Sequence, residues 1–227
     1  MSNAPIAALT LVGAVLGLDV VSFPQAMLSR PIVAATIGGT VVGDPVSGLL
    51  AGATIELFAL ETLPVGASRY PEWGSASVVG GALLGLHGDI HPGALSVALF
   101  AAIATGWIGG WTMIQLRQLN GLLARRLRPA IDAGNRNAVL GLQFGGLLAD
   151  LLRGGALTLL SLLAFVPLAE ATLAVWGASA RYSRAVSVVV AASVAAAAVW
   201  KLFRVTAGAR WYLAAGLALG LLAMWLQ

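Results

Sequence analysis

The chain is predicted to be an all-α integral membrane protein, a polytopic helical bundle with broken or re-entrant helical hairpins in its N-terminal half. Composition is the first reason, since 59% of the 227 residues are hydrophobic and 10% are charged, with a mean hydropathy of +0.91. Soluble domains of this size rarely carry so little charge. Patterning is the second reason, because whole segments are apolar all round instead of amphipathic.

Five apolar segments have about the length that a membrane-spanning helix needs. A helix rises about 1.5 Å per residue, so roughly 20 residues cross a ~30 Å hydrocarbon core. The predicted spans are 5–23, 93–116, 151–176, 185–200 and 205–226. The first eighteen residues contain no Lys or Arg, so we do not expect a cleavable signal peptide.

Two shorter apolar segments, 31–42 and 47–60, lie between the first two spans. Twelve residues of helix reach only ~18 Å. Between the segments, Gly43 permits unusual backbone angles and Pro45 has no N–H donor. The pattern predicts a broken or re-entrant hairpin, whose irregular backbone must be covered by protein or line a water-filled cavity. Half-helix ends of this kind supply dipoles that bind polar solutes.

Carboxylates mark this region as a candidate solute site. Glu56 lies inside an apolar segment, where a charge is costly, so we expect it to be functional or to pair with Arg30 or Arg69. The loop predicted at 61–73 has carboxylates at both ends and includes aromatic residues. Carboxylates and aromatic faces are the groups that bind sugars. The same groups also form interfacial anchors with salt bridges, and this alternative stays open.

The segment 117–137 contains five arginines and a single acidic residue, Asp132. This excess of positive charge predicts a cytoplasmic loop. Its residues 119–131 have a helical pattern that could instead lie along the anionic inner leaflet. The loop divides the chain into an N-terminal membrane region at 1–116, the loop itself at 117–137, and C-terminal transmembrane helices at 138–227. The sequence pI of 10.3 therefore reflects topology, and we expect no binding of nucleic acid.

Other polar residues are weaker candidates. His87 and His91 flank a glycine- and proline-containing turn, where a polar loop is favoured over a metal site or a proton relay. Asp150 and Arg153 have the spacing of a helix-surface ion pair, with a subunit contact as the alternative. Asp19 is interpreted as an interfacial residue. The chain has no cysteine, and we predict no metal site, no cofactor and no catalytic set.

An ordered set of short motifs runs through residues 30–72. The motifs are 30–34 (RPIVA), 39–44 (GTVVGD), 48–52 (GLLAG), 56–60 (ELFAL) and 64–67 (PVGA). The set resembles the membrane-spanning IIC subunit of the mannose–fructose–sorbose family of the bacterial phosphoenolpyruvate-dependent phosphotransferase system. Over the remaining chain, the resemblance is one of hydropathy, length and span layout.

The resemblance implies a multi-pass, lipid-embedded permease subunit of the bacterial cytoplasmic (inner) membrane. Such a subunit pairs with a second membrane subunit, IID, in a larger oligomeric complex. A hexose-type sugar crosses it and is phosphorylated by the phosphohistidine of a cytoplasmic IIB protein, which works with IIA. The chain itself is then not an enzyme, because its partners supply phosphoryl transfer.

The resemblance also implies site residues. Substrate-binding positions are Glu56, Pro64, Gly66, Ala67, Pro71 and Glu72, and structural or gating positions are Arg30, Asp44, Glu61 and Arg69. Many sugar-transporting members are similar to Leu-Gly-x-x-Asn-Ile-Gly-Ala, where this chain has Glu61 and Pro64 in place of Gly and Asn. Pro71-Glu72 stands where Pro-Asp is usual. These departures make a substrate other than mannose or glucose credible.

Two further function classes stay open. The first is an ion-coupled secondary transporter that uses Glu56 or Asp19 as a proton carrier and needs no phosphoryl donor. The second is a non-transporting membrane scaffold or regulatory relative that uses the basic segment as a docking face.

Overall fold

The computed structural model describes residues 3–60, 70–88, 91–203 and 207–225. Every element in these ranges is a helix: α1 (Asn3–Asp19), α2 (Pro31–Val41), α3 (Pro45–Ala59), α4 (Trp73–His87), α5 (Ala94–Asp132), α6 (Arg136–Ala174), α7 (Ala180–Phe203) and α8 (Ala209–Trp225). By length and composition, α5, α6 and α7 can cross a membrane. The all-α membrane architecture predicted from the sequence is confirmed.

The predicted broken hairpin is formed by α2 and α3. These helices have 11 and 15 residues, each with a proline in its first turn, where the missing N–H has no intrahelical role. Gly43 has a φ of +94°, a left-handed conformation that turns the chain between them. Asp44 then caps α3, because its Oδ1 accepts the Ser47 N–H at 2.9 Å.

Glycines let the two helices of this hairpin touch through their backbones. A Cβ added at Gly48 would lie 2.6 Å from the Ala35 carbonyl oxygen and 2.9 Å from the Gly39 Cα. A Cβ at Gly52 would lie 2.7 Å from the Pro31 carbonyl oxygen. Close packing of small residues stabilises helix pairs where lipid supplies no hydrophobic driving force.

Helix α4 is the centre of the core. Its residues from Gly74 to Leu84 are buried, and α1, α2, α3, α5 and α6 all pack against it. Val78 and Val79 are fully buried, as is Ile55 of α3. The N-terminus of α4, which follows Pro71 and Glu72, is therefore held in the interior of the molecule.

The segment predicted as a basic loop is helical. Helices α5 and α6 each have 39 residues, so each is about 58 Å long, roughly twice the hydrocarbon thickness. Only Ala133, Gly134 and Asn135 separate them. The loop prediction was wrong because Arg, Leu and Ala are strong helix formers, and charge alone does not end a helix. The cytoplasmic placement of this segment stays a prediction.

The last two helices lie at the edge of the bundle. Helix α7 packs against α3 and α5, whereas the side chains of α8 from Arg210 to Trp225 are exposed along its length. The predicted span 185–200 lies within α7, and the described part of the predicted span 205–226 contains α8. Like α1, α8 has 17 residues, slightly fewer than a typical span.

Candidate functional site

The predicted site residues fall into two groups. Glu61, Pro64, Gly66, Ala67 and Arg69 lie outside the described residues. The others lie at helix ends: Arg30 before α2, Asp44 before α3, Glu56 in the last turn of α3, and Pro71 and Glu72 before α4.

Glu56 joins the two ends of the hairpin. Its Oε1 forms an ion pair with the Arg30 guanidinium, one of the two pairings expected from the sequence. Its Oε2 accepts the backbone N–H of Ile32 at 3.2 Å, and Ile32 is the second residue of α2. The carboxylate therefore satisfies a first-turn N–H group that has no partner within its own helix.

Glu72 holds the start of α4 in the interior. Its side chain is fully buried, and its Oε1 accepts the Ser75 N–H at 3.1 Å. Its backbone N–H donates to the Gly106 carbonyl of α5 at 2.8 Å. Its Oε2 has no hydrogen-bond partner among the described residues and lies beside Gly109, which leaves room for it because glycine has no side chain.

Asp19 and Asp150 organise the chain that follows α1. Asp19 is buried and accepts the N–H groups of Ala26 at 2.7 Å and Ser29 at 2.8 Å. Asp150 accepts from Arg153 Nε at 2.8 Å through Oδ1 and from the Ser22 hydroxyl through Oδ2. The predicted Asp150–Arg153 pair is present, but it is buried against α1 and does not lie on a helix surface.

Four carboxylates thus share one role. Asp19, Asp44, Glu56 and Glu72 each accept backbone N–H groups where the chain leaves or enters a helix. Lipid cannot satisfy such groups, and a charged acceptor strengthens the bond. The arrangement fixes a broken backbone within a membrane protein. A part for Glu56 and Glu72 in binding substrate stays a prediction.

An accessible polar cavity lies elsewhere, between the chain after α1 and the facing sides of α5 and α6. Its volume is about 490 Å³, within the usual range for small-molecule pockets. We call it the α5–α6 cleft, and its polar and aromatic lining is Ser22, Phe23, Arg117, Asn120, Gln143 and Asp150. Sequence analysis missed it, because these residues became neighbours only when 117–137 proved to be helical.

Tyr70 connects the cleft to the segment that precedes α4. Arg117 Nη2 donates to the Tyr70 hydroxyl at 2.7 Å, and the guanidinium lies 5.5 Å from the centre of the Tyr70 ring. Tyr70 directly follows 61–69, which contains the predicted positions Pro64, Gly66 and Ala67. Arg117 of the cleft therefore contacts Tyr70, a residue of the loop predicted at 61–73.

A second cavity, of about 330 Å³, lies near the predicted histidine turn. Its lining includes Ser47, His91 and Arg184. The rings of His87 and His91 are 6.3 Å apart, and His87 Nδ1 is 3.0 Å from the Leu83 carbonyl oxygen. In the part of the chain that the structure describes, no three potential metal ligands come together.

Comparison with known proteins finds relatives that are all IIC components of sugar transport systems. The chain is 30% identical over 125 residues to a sorbose-specific EIIC component of Lacticaseibacillus casei, covering 55% of this chain and 43% of the relative. It is 36% identical over 105 residues to a fructose permease IIC component of Bacillus subtilis, covering 45% and 38%. It is 30% identical over 126 residues to a mannose-specific EIIC component of Escherichia coli, covering 55% and 45%. Each match spans less than half of the relative's own length.

Solved structures share the fold. A structure described only as a membrane protein superposes with a TM-score of 0.75 at 19% identity, covering all of this chain and 94% of the other. The mannose transporter ManYZ, solved with a microcin, gives a TM-score of 0.61 at 19% identity, covering all of this chain and 88% of the other. The model of the sorbose-specific IIC component family of the phosphotransferase system matches residues 4–192. The chain therefore belongs to that family.

Proposed function

We propose that the chain is a membrane-embedded, sugar-translocating subunit of a phosphotransferase-system complex. The match of the IIC family model to residues 4–192 carries the proposal. The broken hairpin and the polar α5–α6 cleft support it, since transporters build solute sites where helices are interrupted and where polar groups line a cavity. The chain is a transport subunit, and phosphoryl transfer belongs to its partners.

The complex would lie in the bacterial cytoplasmic membrane. We expect a IID membrane subunit beside this chain and cytoplasmic IIA and IIB phosphocarrier proteins below it. The exposed apolar side chains of α8, such as Trp211 and Leu217, suit contact with lipid or with a membrane subunit. A hexose-type sugar would cross and be phosphorylated as it emerges.

For substrate contacts we keep the positions that the resemblance implies: Glu56, Pro64, Gly66, Ala67, Pro71 and Glu72. In the described conformation, the carboxylates of Glu56 and Glu72 are engaged at helix ends. To contact sugar in this conformation, Glu56 or Glu72 would have to keep its hydrogen bond to the backbone N–H and also accept a hydrogen bond from a sugar hydroxyl. The buried Oε2 of Glu72, which has no partner among the described residues, can accept one more hydrogen bond.

The test is uptake and phosphorylation of a panel of labelled hexoses. Membranes would contain this chain and its candidate IID subunit, with and without phosphorylated IIB. We expect sugar phosphate only when phosphorylated IIB is present, and loss of that product in Glu56→Gln. Uptake of unmodified sugar driven by a proton gradient would contradict the proposal and indicate a secondary transporter. Absence of any uptake across the panel would favour a scaffold.

A further inference from the structure

The α5–α6 cleft is built from one face of each long helix. On α5, Met113, Leu116, Arg117 and Asn120 follow the i, i+3, i+4, i+7 spacing of a single helical face. On α6, the lining residues Gln143, Gly146, Leu147 and Asp150 repeat the same spacing. Polar and apolar side chains of both helices therefore face each other across a cavity of about 490 Å³.

Hydrogen-bonding capacity in the cleft lies mainly in two amides. Neither Asn120 nor Gln143 has a side-chain hydrogen bond to another described residue, and Gly146 leaves the space beside the Asn120 amide open. An amide offers both a donor and an acceptor, as a sugar hydroxyl does. Phe23 adds an exposed aromatic side chain to the same wall, of the kind that stacks on the C–H face of a sugar.

The charged groups of the cleft already have protein partners. Asp150 is buried, and Arg153 pairs with it at 2.8 Å. The Arg117 guanidinium donates to the Tyr70 hydroxyl and stacks on its ring. The two neutral amides are therefore the lining groups that remain available, among the described residues, to bind the hydroxyls of a neutral ligand.

We propose that the α5–α6 cleft binds an uncharged sugar or sugar alcohol, with Asn120 and Gln143 as the amides that select its hydroxyls. The inference rests on the proposed transport function and names further residues that contact its substrate. It adds residues from the long helical pair to a site that the sequence located only in residues 56–72. The Arg117–Tyr70 contact links the cleft to Tyr70 in that stretch.

The absence of native cysteine allows a direct test. Asn120→Cys and Gln143→Cys would each be made in the full chain, in membranes that also contain the candidate IID subunit. Asn137→Cys is the matched control, because Asn137 is exposed near the turn between α5 and α6 and does not line the cleft. The rate of maleimide labelling would be measured with a panel of hexoses, hexitols and hexose phosphates.

We expect a neutral sugar of the panel to slow labelling at 120 and 143 about sixfold at about five times its Kd, because the free fraction falls as 1/(1 + [L]/Kd). Labelling at 137 should not change, and hexose phosphates should protect less. If one variant does not fold, the other carries the test. Gln143→Ala should also raise KM for the protecting sugar roughly three- to tenfold, as loss of a neutral hydrogen bond predicts, with little change in kcat.

The outcomes separate this inference from the proposed function. Sugar phosphate formation without protection at 120 or 143 would overturn the cleft assignment and leave the transport function standing. Protection without sugar phosphate would support the cleft and refute group translocation. Protection by hexose phosphates alone would overturn the neutral substrate class. Cysteines that react in the isolated chain but never in the complex would identify the cleft as a protein interface and overturn the inference.

Discussion

Replacing Gly48 by alanine should destabilise the α2–α3 hairpin. A Cβ at this position would lie 2.6 Å from the Ala35 carbonyl oxygen, whereas ordinary contact begins near 3.4 Å, so backbone must move by about 0.8 Å. Overpacking of this kind costs about 1–3 kcal/mol. Alanine returns about 0.5–1 kcal/mol through its better helix propensity. With mid-range values of about 2 kcal/mol for overpacking and about 0.75 kcal/mol for propensity, the free energy of unfolding should fall by about 1 kcal/mol.

Gly141→Ala is the matched control for Gly48→Ala. Gly141 lies inside α6, and an added Cβ there meets nothing within 4 Å, so only the propensity gain of about 0.5–1 kcal/mol remains. Both variants would be unfolded by SDS in mixed detergent micelles and followed by circular dichroism at helical wavelengths. If Gly48→Ala is as stable as wild type, or if both variants lose equal stability, the close backbone contact does not hold the hairpin.

The polar ends of the same hairpin give two further predictions, measured by the same unfolding assay. A double-mutant cycle with Arg30→Gln and Glu56→Gln should give a coupling free energy of about 1 kcal/mol. The value is small because the arginine side chain is 42% exposed, and solvent screening weakens the attraction between the two charges. Strictly additive effects of the two substitutions would argue against a direct interaction. Asp44→Ala should lower the free energy of unfolding by about 1 kcal/mol through loss of the cap, whereas Asp44→Asn should lower it far less, because an amide oxygen still accepts the Ser47 N–H. Equal losses in the two Asp44 variants would mean that charge, and not the cap, is what matters there.

Local chemistry was enough to predict the hairpin. Gly43 and Pro45 act on the backbone within a few residues, so the break between two short helices can be read without knowledge of the rest of the fold. The Arg30–Glu56 pair was likewise accessible, because a carboxylate in an apolar segment needs a partner and few arginines are near it in sequence. Both features depend on short-range rules that hold in many folds.

The α5–α6 cleft could not be predicted in this way. Asn120 and Gln143 face the same cavity only because α5 and α6 continue as helices on both sides of a three-residue turn. Counting arginines predicted a loop where the structure has a helical hairpin. The buried position of Glu72 was hidden for a similar reason, since it depends on space left by Gly109 of another helix.

The caps of α6 and α4 differ in chemistry, and their surroundings differ as well. At the exposed turn between α5 and α6, the cap of α6 is Asn135, whose amide oxygen accepts the Asn137 N–H at 2.9 Å. Water can satisfy the remaining N–H groups there, so a neutral cap is sufficient. At the fully buried start of α4 the cap is Glu72. No water or lipid can replace this acceptor in the interior. The carboxyl cap at Glu72 is therefore explained by its buried chain break, before any role in transport is considered.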